Sequence, residues 1–85
     1  MKRNEILEKL KEILLAADNI KKESILCADE NTKLASELGL SSFMMLFLAI
    51  AIEETFKIKL EKNCYKDFVS IGNVIDYIEK GMENK

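Results

Sequence analysis

Ten consecutive apolar residues, Phe43 to Ile52, most constrain what this 85-residue chain can become. A membrane-spanning helix needs about 20 such residues, so the run cannot cross a bilayer and must be accommodated some other way. Ser41 precedes it and is a good N-cap, its hydroxyl free to accept a first-turn N–H, which leaves Ser42 in the first turn. The pattern predicts a helix from there to about Phe56. At 100° per residue, Met45, Leu48, Ala49, Ile52 and Phe56 share one face, an ordinary core stripe. Phe43, Phe47 and Ile50 lie on the opposite face with Leu46 on the flank. Glu53 and Glu54 restore polarity only at the far end, as a solvated helix terminus. A run apolar on both faces leaves a patch in water, and such patches mark interaction sites.

The remaining chain supplies partners for the core stripe. Ile6, Leu7, Leu10, Ile13, Leu14 and Ala17 recur at three and four, predicting a first helix capped by Asn4 and fading near Ala17 to Asn19. Asp18 to Gly39 shows no sustained period. A connection of about 20 residues is long for a compact domain, so it must be functional or pinned, with Ile20, Ile25, Leu26, Leu34 and Leu38 available as pins. Thr32 is placed to cap a short turn carrying Leu34 and Leu38, and Gly39 to end it in the left-handed conformation. Ile58 and Leu60 form an extended link. Glu61 to Phe68 holds one or two helical turns, with Tyr65 and Phe68 inward. Ser70 caps a last helix whose stripe is Ile71, Val74, Ile75, Ile78 and Met82, with Gly81 marking its end. The expected fold is all-α: a small irregular four-helix bundle in one domain, residues 1–85, with three main helices, one short helix and a long first loop.

Composition removes whole classes of function. There is no histidine, hence no imidazole base, no Ser-His or Cys-His pair and no histidine-ligated metal. Cys27 and Cys64 form neither a CxxC pair nor a zinc set and are expected as reduced thiols. Thirteen basic and fifteen acidic residues give a net charge of −2 with no basic block, so the footprint of a nucleic-acid binder is missing. Glu5, Glu8 and Glu12 break the N-terminal segment, unlike a signal peptide, and a cytoplasmic protein is expected. No constellation of acids, bases or metal ligands stands out. Catalytic residues and a metal site are expected to be absent, and the chain is not expected to be an enzyme.

One placed hydroxyl remains. Ser42 follows a long loop and a glycine, at a helix N-terminus whose backbone N–H groups and dipole favour an anion. Its surroundings, Thr32-Lys33-Leu34-Ala35-Ser36-Glu37-Leu38-Gly39-Leu40-Ser41-Ser42-Phe43, resemble the attachment region of acyl carrier proteins, T-x-L followed by L-G-x-D-S-L. Ile52-Glu53-Glu54-Thr55-Phe56-Lys57-Ile58-Lys59-Leu60 is similar to the family's L-E-E-E-F-G-I-E-I. Ile71 to Lys80 is similar to V-G-D-A-V-D-Y-I-E-K. With the family's spacing kept, the resemblance covers nearly the whole chain.

That resemblance implies an acyl-carrier-type bundle with 4'-phosphopantetheine esterified to Ser42, carrying acyl intermediates as thioesters. It implies a specialised carrier for fatty-acid-like or polyketide-type synthesis. The implied partners are a phosphopantetheinyl transferase, an acyl-loading enzyme and a condensing or acyl-transfer enzyme. Met45, Leu48, Ile52, Phe56, Ile58, Ile71 and Ile75 become the candidate lining of an acyl-chain pocket. The family's aspartate is replaced by Ser41, and Met44 and Phe47 occupy positions that are often acidic. Docking is therefore expected through an apolar surface of Phe43, Met44, Leu46, Phe47 and Ile50, and a monomer rather than a homodimer is expected. Two alternatives stay open: an unmodified helical interaction module using the same apolar face, and an aminoacyl or peptidyl carrier.

Overall fold

The computed structural model describes residues 2–16, 21–61 and 64–83. Among them are four α-helices: α1 (Arg3–Leu15), α2 (Lys22–Leu26), α3 (Ser42–Phe56) and α4 (Ile71–Glu83). A 3₁₀ turn, Cys64–Asp67, lies between α3 and α4. One isolated antiparallel bridge joins Lys33 to Ser70 and ties the long first connection to the start of α4.

The core forms where the stripes meet. Ile6, Leu10 and Leu14 of α1, the full expected stripe of α3, and Ile71, Val74, Ile75 and Ile78 of α4 are all buried. Met82 is half-buried at the edge of that core. Ile25 joins this core from α2, and Leu34, Leu38 and Phe68 are among the residues that join it from the segments between helices. The loop is thus pinned as expected at three of its apolar residues. Leu26 is the exception, 55% exposed. Residues 22–26 form the one-turn helix α2, with Ile25 inward, and on so short a helix the next residue points away. The expected fading of α1 at residues 17–19, and the pin at Ile20, lie outside the described residues; α1 ends at Leu15 with Ala16 as its cap.

Three local expectations are corrected. Helix α1 begins at Arg3, so Asn4 lies inside its first turn; the Glu5 carboxylate accepts the Lys2 backbone N–H at 3.3 Å and closes the end instead. Thr32 does not cap the following turn: its Oγ1 accepts the Asp29 N–H at 2.9 Å, closing the turn before it. The Leu34–Leu38 turn is held by Glu37 N–H and Leu38 N–H donating to the Lys33 carbonyl, and Gly39 ends it at φ +73°. Gly81 does not end α4, which runs to Glu83. A Cβ there would sit 2.9 Å from the Ile58 side chain, so Gly81 lets the segment after α3 pack against α4.

Helix α3 ends on Lys57, at φ 55° and ψ 48°, the left-handed position that usually takes glycine. Both Lys57 N–H and Ile58 N–H donate to the Glu53 carbonyl, and Ile58 turns back into the core. Helix α4 opens on a reciprocal cap: Ser70 Oγ accepts the Asn73 N–H at 3.2 Å and Asn73 Oδ1 accepts the Val69 N–H at 2.9 Å.

Arg3 fastens the bundle from outside. Its guanidinium donates to Glu30 in the long connection and to Asp76 and Glu79 on α4, the Asp76 contact at 2.8 Å. Hydrogen bonds to Glu30 and Asp76 raise its pKa further above the usual arginine range. The three carboxylates are 27 to 76 residues away in sequence, so no local pattern announces the cluster.

Candidate functional site

Ser41 and Ser42 divide the work at the start of α3. Ser41, in extended conformation, accepts the Met44 N–H on its side chain at 3.3 Å, and its carbonyl accepts the Met45 N–H at 3.0 Å. It is the expected N-cap. Ser42 is the first helical residue and is exposed. Among the described residues, the N–H groups of Ser42 and Phe43 donate to no protein acceptor. A helix N-terminus with free N–H groups is suited to an anion. The first turn of α3 holds no acidic residue to repel one. A phosphodiester on Ser42 Oγ fits these surroundings.

The outer face of α3 lies in water. Phe43 is 79% exposed, Phe47 66%, Ile50 48% and Leu46 39%. Met44, placed with them by sequence, is instead half-buried against the core. From Ser42 to Ile52 this helix carries no charged residue.

The seven residues proposed to line an acyl-chain pocket are all buried in one core cluster. None of them borders the open cleft beside α3, of about 410 Å³. That cleft is lined from α3 by Leu46, Ala49, Ile50 and Glu53, and from across it by Leu60, Cys64 and Tyr65. Lys59 and Glu61 stand at it too. The sequence places Tyr65 inward but gives Leu60 and Cys64 no part in a cleft, because an extended link and one short turn are too brief to show a period.

Glu53 is not merely a solvated helix end: its carboxylate accepts the Leu60 N–H at 2.9 Å and fixes that far wall. Cys64 is buried, and desolvation, reinforced by Glu53, Glu61 and Asp67, pushes its thiol pKa up. Cys27 is exposed, and both cysteines are free. Tyr77 donates to Asp67 at 3.2 Å, with its phenol pKa raised by burial and by that carboxylate. Among the described residues no group of three or more Cys, Asp or Glu is placed to hold a metal, and no helix is long and apolar enough to cross a membrane.

Fold and site together define a small helical scaffold that presents one serine at a helix start. Comparison with known proteins makes that class specific. The family model described as "Phosphopantetheine attachment site" matches residues 8–78. The acyl carrier protein of Wolinella succinogenes is 28% identical over 74 residues, covering 87% of this chain and 93% of that protein. The acyl carrier protein of Phytoplasma australiense is 27% identical over 77 residues, 91% of this chain and 97% of that one. The crystal structure of an acyl carrier protein from Thermotoga maritima superposes with a TM-score of 0.83 at 24% identity, covering 99% of this chain and 94% of the other. At that identity the likeness speaks for the fold. The chain belongs to the acyl carrier protein family, whose members are carriers rather than catalysts and bear a covalently attached 4'-phosphopantetheine.

Proposed function

We propose that Ser42 carries the 4'-phosphopantetheine arm and that the chain, a single carrier domain over residues 1–85, is a specialised cytoplasmic carrier for fatty-acid-like or polyketide-type synthesis. When attached, the arm supplies a terminal thiol that holds an acyl group as a thioester. The observation that carries the assignment is the division of labour at α3: Ser41 is committed to capping, while Ser42 is exposed beside free N–H groups. Tethering a substrate raises its effective concentration at each successive enzyme, which is the physical merit of a carrier without catalytic groups.

The chain's own residues have two further tasks in this reading. The apolar face of Phe43, Leu46, Phe47 and Ile50, with Met44 beside it, receives the partners: a phosphopantetheinyl transferase, an acyl-loading enzyme and a condensing or acyl-transfer enzyme. Shelter for an apolar cargo begins at the cleft beside α3. Leu46 lies one turn from Ser42, and Ala49 and Cys64 belong both to the cleft and to the core. A chain going deeper meets Met45, Leu48 and Ile52 behind them, with Phe56, Ile58, Ile71 and Ile75 beyond.

The test is intact mass after co-expression with a broad-specificity phosphopantetheinyl transferase. The wild type and Ser41→Ala gain one phosphopantetheine, while Ser42→Ala gains none. Addition to Ser42→Ala refutes the assignment. No addition to the wild type by any transferase, the host's own included, leaves the unmodified interaction module as the better reading.

A further inference from the structure

We infer that the outer face of α3 pairs with the same face of a second copy of this chain, in an antiparallel and readily reversed contact. Phe43, Phe47 and Ile50 are spaced by four and then three residues, with Leu46 alongside, which is the spacing of a helix–helix seam. The seam is two turns long and uncharged. A two-fold contact sets a surface against itself, so like charges in it would repel. An uncharged face removes that obstacle.

Charge at the seam's ends sets the direction. With the contact centred between Leu46 and Phe47, an antiparallel pair puts Phe43 opposite Ile50 of the other copy. Glu54, exposed and four residues beyond Ile50, then falls beside the other copy's Gly39 to Ser41, at the N-terminus of its α3, where the helix dipole favours a carboxylate. A parallel pair would bring Glu54 against Glu54.

Area sets the strength. A phenylalanine buries roughly 150–250 Å², so the exposed fractions of Phe43 and Phe47, with the smaller shares of Leu46 and Ile50, amount to roughly 400–450 Å² per copy. Two copies bury about 800–900 Å², below the ~1,200 Å² at which stable, specific interfaces begin. The pairing is therefore weak and concentration-dependent. It covers the face proposed for enzyme docking, so a partner enzyme and a second copy compete for α3. The inference rests on α3 alone and not on Ser42 carrying the arm.

Sedimentation velocity on the full unmodified chain, from about 10 µM to about 1 mM, tests it, with amide chemical shifts followed on dilution. These concentrations bracket the dissociation constants expected of a weak contact. The wild type shows reversible dimerisation that persists in about 1 M NaCl, where charge contacts are screened. Concentration-dependent shifts fall on α3. Phe47→Glu weakens the dimer at least tenfold with circular dichroism unchanged; Phe43→Ser serves the same purpose should Phe47→Glu fail to fold. A chain monomeric to about 1 mM overturns the inference and leaves the face to enzymes alone. Equal dimerisation of the variants, or shifts confined to other elements, overturns it as well. Phosphopantetheine mass on Ser42 is read separately, so the two readings fail independently.

Discussion

Lys57 stands where the family motif has glycine, in a left-handed conformation at φ 55°. An L-residue there costs roughly 1–2 kcal/mol through the close approach of Cβ to the following carbonyl. Lys57→Gly removes that strain. Against it, glycine adds about 0.4–1 kcal/mol of unfolded-state entropy. The variant also loses a cation at the C-terminus of α3, worth about 0.3 kcal/mol at an exposed site in moderate salt. The balance is a stabilisation of about 0.5 kcal/mol. The informative comparison is Thr55→Gly, two residues earlier in right-handed helix and equally exposed, which is expected to destabilise by about 0.5 kcal/mol, since threonine is itself a modest helix former. Urea unfolding followed by circular dichroism measures both. A shift of this size moves the melting temperature by roughly 2–4 °C in a domain of this length. If Lys57→Gly destabilises as much as Thr55→Gly, the left-handed cap is not a source of strain and this account of the α3 terminus is wrong.

Arg3→Ala leaves Glu30, Asp76 and Glu79 facing one another; because Arg3 and its partners are at least one-third exposed, the expected loss is only about 1 kcal/mol, smaller in high salt. Urea titrations at low and high ionic strength check it. Cys27 should react with a maleimide in the native protein, whereas Cys64 reacts only on unfolding; two fast equivalents in native protein would show that Cys64 is accessible. Burial places the folded pKa of Cys64 above its unfolded value, so its contribution is intact below the unfolded pKa and is lost as pH rises through the folded one. Stability that is flat through neutral pH and falls in the alkaline range, less steeply in Cys64→Ala, is the expected profile. Binding of a condensing or acyl-transfer partner should survive about 1 M salt, where the Debye length is ~3 Å, and weaken more than tenfold in Phe47→Glu; a salt-sensitive contact indifferent to Phe47→Glu would make docking electrostatic.

Features that depend on near neighbours are legible in the amino-acid order alone. Ser41 as cap, Ser42 as first helical residue, the division of α3 into an inner and an outer face and the Ser70 cap are consequences of residues within one or two turns. So is the left-handed glycine at Gly39, because the turn it ends is closed locally. Where periodicity fails, local residues do not specify the outcome: α2 is one turn long, too short to show a repeat, and Met44 sits at the border between two faces where only packing decides exposure. The tertiary structure alone placed Arg3 among three carboxylates distant in sequence, seated Ile58 against Gly81, and turned the Glu53 side chain onto the Leu60 N–H to build the far wall of the cleft. Those contacts join residues seven to 76 positions apart. Their partners are chosen by how the chain packs, and a helical period of 3.6 residues carries no information at that range.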